Sequence, residues 1–217
     1  MKNLIIIPSR LESSRLPNKP LADINGEPMI VHVFNRAREA NIANVIVVAG
    51  NIEIKDVIEN VGGEAILTKS DHASGSDRIY EALNLYDKDS SYDNVINLQG
   101  DLPNIQKDAL TKIVSLLDSS NSDISTLGVK ISSDQEILNP NIVKAYIKNL
   151  SENNIVDDFD RSFDLSKKDF LYHHIGIYGY KRNALEAFIG LNQSKAEIDR
   201  KLEQMRAIEN DMKIVLG

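Results

Sequence analysis

The sequence predicts an α/β fold whose sheet turns from parallel to mixed along the chain, and three observations carry that expectation. Over the first half, short β-branched apolar runs alternate with amphipathic helical patterns. Each run closes on Gly, Pro or Asp, as buried parallel strands do. After about Asn121 the runs lengthen and alternate apolar with polar residues, as strands with two different faces do.

Taken in order, KNLIIIP, NVIVVAG, GEAILT and DNVINLQGD are the four early strands. Between the first two, Met29, Ile30, Val33, Phe34 and Ala37 recur at helical spacing, and Pro28 suits a first helical turn. IEIKDVIENV and SDRIYEALNLY are shorter helices, and QKDALTKIVSLLDSS is a longer amphipathic one. This βαβ order implies right-handed crossovers. ISTLGVKI, IVKAYIKN and FLYHHIGIYGY follow as strands, with SENN as a turn and DDFDRSFDLSKKD as a polar, irregular stretch. NALEAFIG and KAEIDRKLEQMRAIEN read as two helices before a last apolar run, MKIVLG.

At 217 residues the chain has the size of a single domain (1–217), with an excursion around 139–180 as a small dimerisation or sugar-binding subdomain. A net charge of −7 argues against general affinity for nucleic acid or an acidic membrane, and makes any local basic cluster more informative. The absence of cysteine excludes disulfides, thiolate metal sites and a cysteine nucleophile. The N-terminal apolar run is too short for a signal peptide, and no stretch approaches the length of a membrane span, so a cytoplasmic location is expected.

Ligands in such sheets sit at the carboxyl ends of the strands. Three segments therefore matter: PSRLESSRLPNK after the first strand, TKSDHASGSDR after the third and QGDLP after the fourth. Arg10, Arg15 and Lys19 should share a rim with Asp101. Arginine forks suit phosphate oxygens, and lysine adds a point charge. An aspartate at a strand end beside a phosphate site is a usual holder of magnesium. The residue chemistry points to a magnesium nucleotide gripped by its polyphosphate.

IIIPSRLESSRLPNKPLADINGEPMIVHV, SGSDR, VINLQGD, NPNIVK, HIGIYGY and LEQMRAIEN, in that order, resemble the 3-deoxy-manno-octulosonate cytidylyltransferases, the CMP-Kdo synthetases. The blocks run over nearly the whole chain. The resemblance implies a nucleotide-diphospho-sugar-transferase-like (Rossmann-like) three-layer sandwich, a homodimer, and the reaction CTP + Kdo → CMP-Kdo + pyrophosphate for lipopolysaccharide synthesis. It implies that Arg10, Arg15 and Lys19 grip the triphosphate and that Asp101 holds Mg2+. Nucleotide contacts fall on Pro8, Arg10, Ser74, Gly75, Asp77 and Arg78, with backbone groups near Pro8 to Arg10 and Ser74 to Asp77 selecting cytosine. Gln99, His174, Tyr178, Glu203 and Gln204 fall on blocks lining the sugar side. Kdo is a carboxylate, so a further cation should face it, and Arg161 aligns with the family's F-S-R-A.

Each of these has a plainer reading. Arg15 and Lys19 could be surface charges, and Asp101 could close a turn with Pro103. A histidine in an alternating strand is often a satisfied core residue, as His174 could be, while His173 should point to the opposite face. His72 could be a turn residue, Tyr178 and Tyr180 core aromatics, and Glu203 and Gln204 a solvated helix face. Asp157, Asp158 and Asp160 form an acidic cluster that could mimic a metal site, and a solvated loop is expected. The chain departs from the family at VAGNIE, where A-T-D is usual, and in NNIVDDFDRSF, which is shorter and more acidic than its counterpart. The family also continues into a G-V-D-T-P-E-D-L block bearing a second metal carboxylate, whereas this sequence ends at Gly217; magnesium is therefore expected to rest on Asp101, phosphate oxygens and water. Rival readings are a cytidylyltransferase for another acidic sugar, such as a sialic acid or an amino-Kdo analogue, and a non-catalytic nucleotide-binding relative.

Overall fold

The computed structural model of the chain describes residues 1–12, 16–69, 72, 74–119, 121–148 and 154–217. Arg15 and most of the SENN turn lie outside these. In chain order the elements are β1 (Asn3–Ser9), β2 (Asp23–Ile24), β3 (Glu27–Pro28), α1 (Met29–Ala40), β4 (Asn44–Ala49), α2 (Ile52–Asn60), β5 (Glu64–Leu67), α3 (Gly75–Tyr86), β6 (Asn94–Leu98) and α4 (Lys107–Ser119). They continue with β7 (Ile124–Lys130), α5 (Asp134–Leu138), β8 (Lys144–Tyr146), β9 (Asp158–Asp160), β10 (Leu171–Lys181), α6 (Arg182–Gly190), α7 (Lys195–Arg200), α8 (Met205–Ile208) and β11 (Ile214–Leu216). The contacts divide the chain into two compact units, Met1–Val114 and Ser115–Gly217.

In the first unit β1 pairs in parallel with β4 on one edge and β6 on the other, and β5 adds to β4. This is the run of parallel strands the sequence predicts. Leu4, Ile5, Ile6 and Ile7 have no exposed surface, which is why β1 is apolar throughout rather than alternating. Burying each such side chain stabilises the fold by about 1.5–3 kcal/mol relative to leaving it exposed. Helix α1 buries Ile30, Val33, Phe34 and Ala37, the stripe anticipated from spacing, while Pro28 caps the helix rather than starting it. The small β2–β3 hairpin around Asn25-Gly26 escapes the strand reading, although an Asn-Gly pair is a strong short-range hairpin signal.

In the second unit the strand directions mix, as expected. β7 pairs in parallel with β11 and antiparallel with β10, β10 pairs antiparallel with β8, and β8 with β9. Two expectations are corrected. The stretch read as irregular contains β9, because Asp158–Asp160 pairs with Lys144–Tyr146 and buries Phe159 completely. The last long helix is two, broken where Lys201 takes a left-handed backbone (φ 55°). The break has a cause in the core: Arg206 forms a two-pronged pair with Glu197, Nε donating to Oε2 at 2.9 Å and an Nη to Oε1 at 2.6 Å. On one continuous helix a separation of nine residues would put these side chains about 180° apart. The pair is buried and Arg206 also stacks on the Phe188 ring, with its guanidinium carbon 4.8 Å from the centroid.

Candidate active site

In the first unit the carboxyl ends of β1, β4 and β6 carry the polar residues. Arg10 follows β1, and Asn51 follows β4 after the turn residue Gly50. Gln99, Gly100 and Asp101 follow β6. These turns are tied to one another. Gly50 N–H donates to the Ser9 carbonyl at 2.9 Å. A Cβ on Gly100 would stand 2.9 Å from the Pro8 carbonyl oxygen and 3.6 Å from Ser9 Cβ, so the two strand ends approach as only glycine permits. The Asn51 side chain accepts from Leu11 N–H at 3.0 Å and donates to Glu12 at 3.2 Å, pinning the start of the first loop to the end of β4. Where the sequence reading marked VAGNIE as a lost acidic residue, the structure gives Asn51 this clamping role.

Two cations meet here. Arg78, on α3, is only 4% exposed, and donates to Thr68 Oγ1 at 2.7 Å. Its pKa is lowered, chiefly by burial and then by the like charge of Arg10. A Cβ on Gly50 would lie 3.2 Å from both Arg10 Cβ and an Arg78 Nη, so Gly50 is the gap that lets the Arg78 guanidinium approach the stem of Arg10. Arg78 is buried and feels the like charge of exposed Arg10, offset in part by Glu12 and Glu81, so an anion arriving here would be favoured. Glu12 is one counter-charge, its carboxyl lowered by a backbone hydrogen bond, by Asn51 and by both arginines, and Glu81 is another for Arg78. Ser74 and Asp77 satisfy each other: the Ser74 hydroxyl donates to Asp77 at 2.8 Å and accepts the Asp77 N–H at 3.1 Å, capping α3 where Gly75 begins. That cap orients Arg78 one residue on. His72 bonds Glu81 of α3 at 2.5 Å, a contact beyond that of a turn residue alone.

On the β6 side Lys19 Nζ meets Asp101 at 2.7 Å. Their side chains are 35% and 50% exposed, so the pair is worth no more than about 1 kcal/mol and opens easily. Gln99 Nε2 reaches the buried Asn97 Oδ1 at 3.4 Å. No three His, Cys, Asp or Glu side chains converge as a metal cage among the described residues. One half-exposed carboxylate is still a fitting ligand for magnesium, which retains water and takes phosphate oxygens rather than requiring an all-protein cage.

In the second unit His174 sits half-buried on β10, against the Phe159 ring at 5.0 Å and the Tyr178 ring at 5.3 Å. Burial, with a smaller contribution from His173, pushes its imidazole down to about 3, so it is neutral at physiological pH. Burial likewise raises the Tyr178 phenol, helped by Tyr180 and Glu203. Tyr180 is a core aromatic, 4% exposed. Glu203 and Gln204 are not on a solvated helix face; they occupy the break before α8, half-buried. His173 reaches Glu136 at 3.4 Å. Arg161 lies with an Nη 3.5 Å from the carbonyls of Pro140 and Asn141, while its own carbonyl accepts from the fully buried Lys144 Nζ at 2.5 Å. Asp158 and Asp160 are not a solvated loop, since they lie on β9 and Arg200 pairs with them at 2.5 Å and 3.3 Å; Asp157 is exposed and accepts the Lys148 N–H.

The sequence points to Arg10, Lys19, Arg78 and Asp101; the structure adds Gly50, Asn51, Thr68 and Glu12 as neighbours of this cluster. Only the glycine at a strand end offered a signal for these, and its meaning depends on which side chains arrive beside it.

Known proteins bear on this arrangement. A family model described as Cytidylyltransferase matches residues 4–214. A 3-deoxy-manno-octulosonate cytidylyltransferase of Brucella ovis is 47% identical over 216 residues, covering 99% of this chain and 86% of its own. One of Brucella anthropi is 46% identical over the same share of this chain and 87% of its own. The solved structure of a CMP:2-keto-3-deoxy-manno-octonic acid synthetase complexed with CTP matches with a TM-score of 0.89 at 34% identity, covering 100% of this chain and 89% of that one. The structure of a cytidylyltransferase from Leptospira borgpetersenii matches at 0.66 and 16% identity, a likeness of fold alone.

Proposed function

Because the chain belongs to the cytidylyltransferase family, we propose that it transfers CMP from CTP to the anomeric hydroxyl of 3-deoxy-manno-octulosonate, releasing pyrophosphate, in lipopolysaccharide synthesis. The anomeric oxygen attacks the α-phosphorus, and the bond from that phosphorus to the oxygen bridging the β-phosphate breaks. Pyrophosphate departs with the electron pair, and the hydroxyl proton passes to solvent. No enzyme nucleophile is needed, so catalysis is positioning and charge neutralisation.

The observation that carries the reading is the set of polar groups at the ends of β1, β4 and β6: buried Arg78 beside Arg10, and Lys19 on Asp101. Arg10 and Arg78 hold phosphate oxygens, with Arg15 assigned to the same grip by its place in the motif. When CTP binds, the weak Lys19–Asp101 pair opens. Lys19 is then free to face the departing pyrophosphate, and Asp101 would hold a magnesium ion, which when bound would supply charge neutralisation at the phosphates. Pro8, Ser74, Gly75 and Asp77 shape the nucleotide end through backbone groups. Gln99, His174, Tyr178, Glu203, Gln204 and Arg161 are assigned to the sugar. A homodimer and a cytoplasmic location belong to the same reading. Among the described residues no helix is long and apolar enough to cross a membrane.

Pyrophosphate release tests this, with CTP and with Kdo, an amino-Kdo analogue and a sialic acid as acceptors. Turnover with Kdo that Arg10→Ala, Arg15→Ala and Lys19→Ala each abolish, with unchanged circular dichroism, is the expected result. Turnover with sialic acid alone would make this an enzyme for another acidic sugar. CTP binding without turnover on any acceptor would make it a non-catalytic relative.

A further inference from the structure

Between Ile175 and Tyr178 the register of β10 against β7 shifts, leaving Gly176 and Ile177 without a partner residue on β7. Such bulges leave backbone groups to be satisfied by other means. Here the means is a side chain: Thr126, with no exposed surface, donates its hydroxyl to the Ile177 carbonyl at 2.7 Å, while the Ile175 carbonyl lies at 3.4 Å. The same Thr126 oxygen is 2.9 Å from His174 Nε2.

A hydroxyl has one proton to give. Thr126 gives it to Ile177, so toward His174 it is an acceptor, and Nε2 must carry the imidazole proton. The ring is neutral, so Nδ1 has the lone pair. Among the described residues no side chain or backbone group donates to Nδ1, and the Phe159 and Tyr178 rings hold the imidazole plane in place. We infer that Thr126 is a positioning residue for cytidylyl transfer: through the β10 bulge it fixes the tautomer of His174 so that Nδ1 accepts a hydrogen bond from a hydroxyl of the acidic sugar. This rests on the assignment of His174 to the sugar made above.

Nitrogen-15 spectra of imidazole-labelled, ligand-free protein test the tautomer directly, the His174 signals being identified by their loss in His174→Gln. The expected pattern is a protonated Nε2 and a bare Nδ1, lost in Thr126→Val and restored in Thr126→Ser. Kinetically, Thr126→Val should raise KM for Kdo about tenfold, the loss of one oriented hydrogen bond, with KM for CTP unchanged and Thr126→Ser near wild type. A wild-type spectrum with the proton on Nδ1 overturns the inference without any variant needing to fold. A spectrum that behaves as expected beside an unchanged KM for Kdo overturns the link from Thr126 to the sugar. Failure of the wider reading shows separately, as absence of pyrophosphate release with Kdo in the unsubstituted protein.

Discussion

Replacing Gly50 with alanine places one methyl group between the two arginines that we assign to the triphosphate. The new Cβ would stand 3.2 Å from Arg10 Cβ, 3.2 Å from an Arg78 Nη and 3.6 Å from Arg78 Cζ. Ordinary carbon contacts begin near 3.5 Å, so something must move by a few tenths of an ångström. Arg10 Cβ is bound to the main chain, and the turn itself is tied to β1 through Gly50 N–H and the Ser9 carbonyl. The part that can yield is the Arg78 fork, at the expense of its 2.7 Å bond to Thr68. Overpacking of this kind costs about 1–3 kcal/mol. If about 1–2 kcal/mol of it is felt as a misplaced cation in the transition state, kcat/KM for CTP falls by roughly 5- to 30-fold. The assay is pyrophosphate release with CTP varied at saturating Kdo, alongside thermal melting. Gly190→Ala is the control, since a Cβ there meets nothing within 4 Å. A Gly50→Ala enzyme with kcat/KM for CTP unchanged would show that the gap has no bearing on the arginines.

Asp101→Asn keeps the shape but removes the charge, so half-maximal activity should require about tenfold or more additional magnesium, read by titrating the metal at fixed CTP. Glu197→Ala leaves Arg206 buried without its two-pronged partner and should cost about 3–5 kcal/mol in denaturant unfolding, whereas replacing both residues with apolar ones of similar volume should cost much less. His174 is depressed from 6.5 to about 3, so the unfolded chain binds its proton first as pH falls. Its stabilising neutrality is complete above about pH 6.5 and is lost progressively below that toward 3, about 2 kcal/mol by pH 5, so His174→Gln should lose less stability than the parent between pH 7 and 5.

Patterns carried by consecutive residues are legible without any structure. The apolar Leu4–Ile7 run, the Ile30, Val33, Phe34 and Ala37 stripe, and the change of rhythm after Asn121 give the parallel strands, a helix and the mixed sheet, because burial period follows directly from strand and helix geometry. Strand ends are equally local, so Arg10 and Asp101 could be put at the carboxyl ends of β1 and β6 before any tertiary contact was known. The tertiary structure decided which distant groups share a neutralising partner. Asn51 clamps Leu11 across 40 residues, Arg200 turns Asp158 and Asp160 from an acidic loop into an ion-paired strand, and Thr126 reaches His174 across 48. It also broke the last helix, since Glu197 and Arg206 could not meet on one. These are consequences of register. A one-residue slip between β7 and β10, or a β10 without its bulge, would leave every local pattern intact while sending the Thr126 hydroxyl to a different neighbour. Periodicity records which face a side chain takes, but only strand pairing brings a particular partner opposite it.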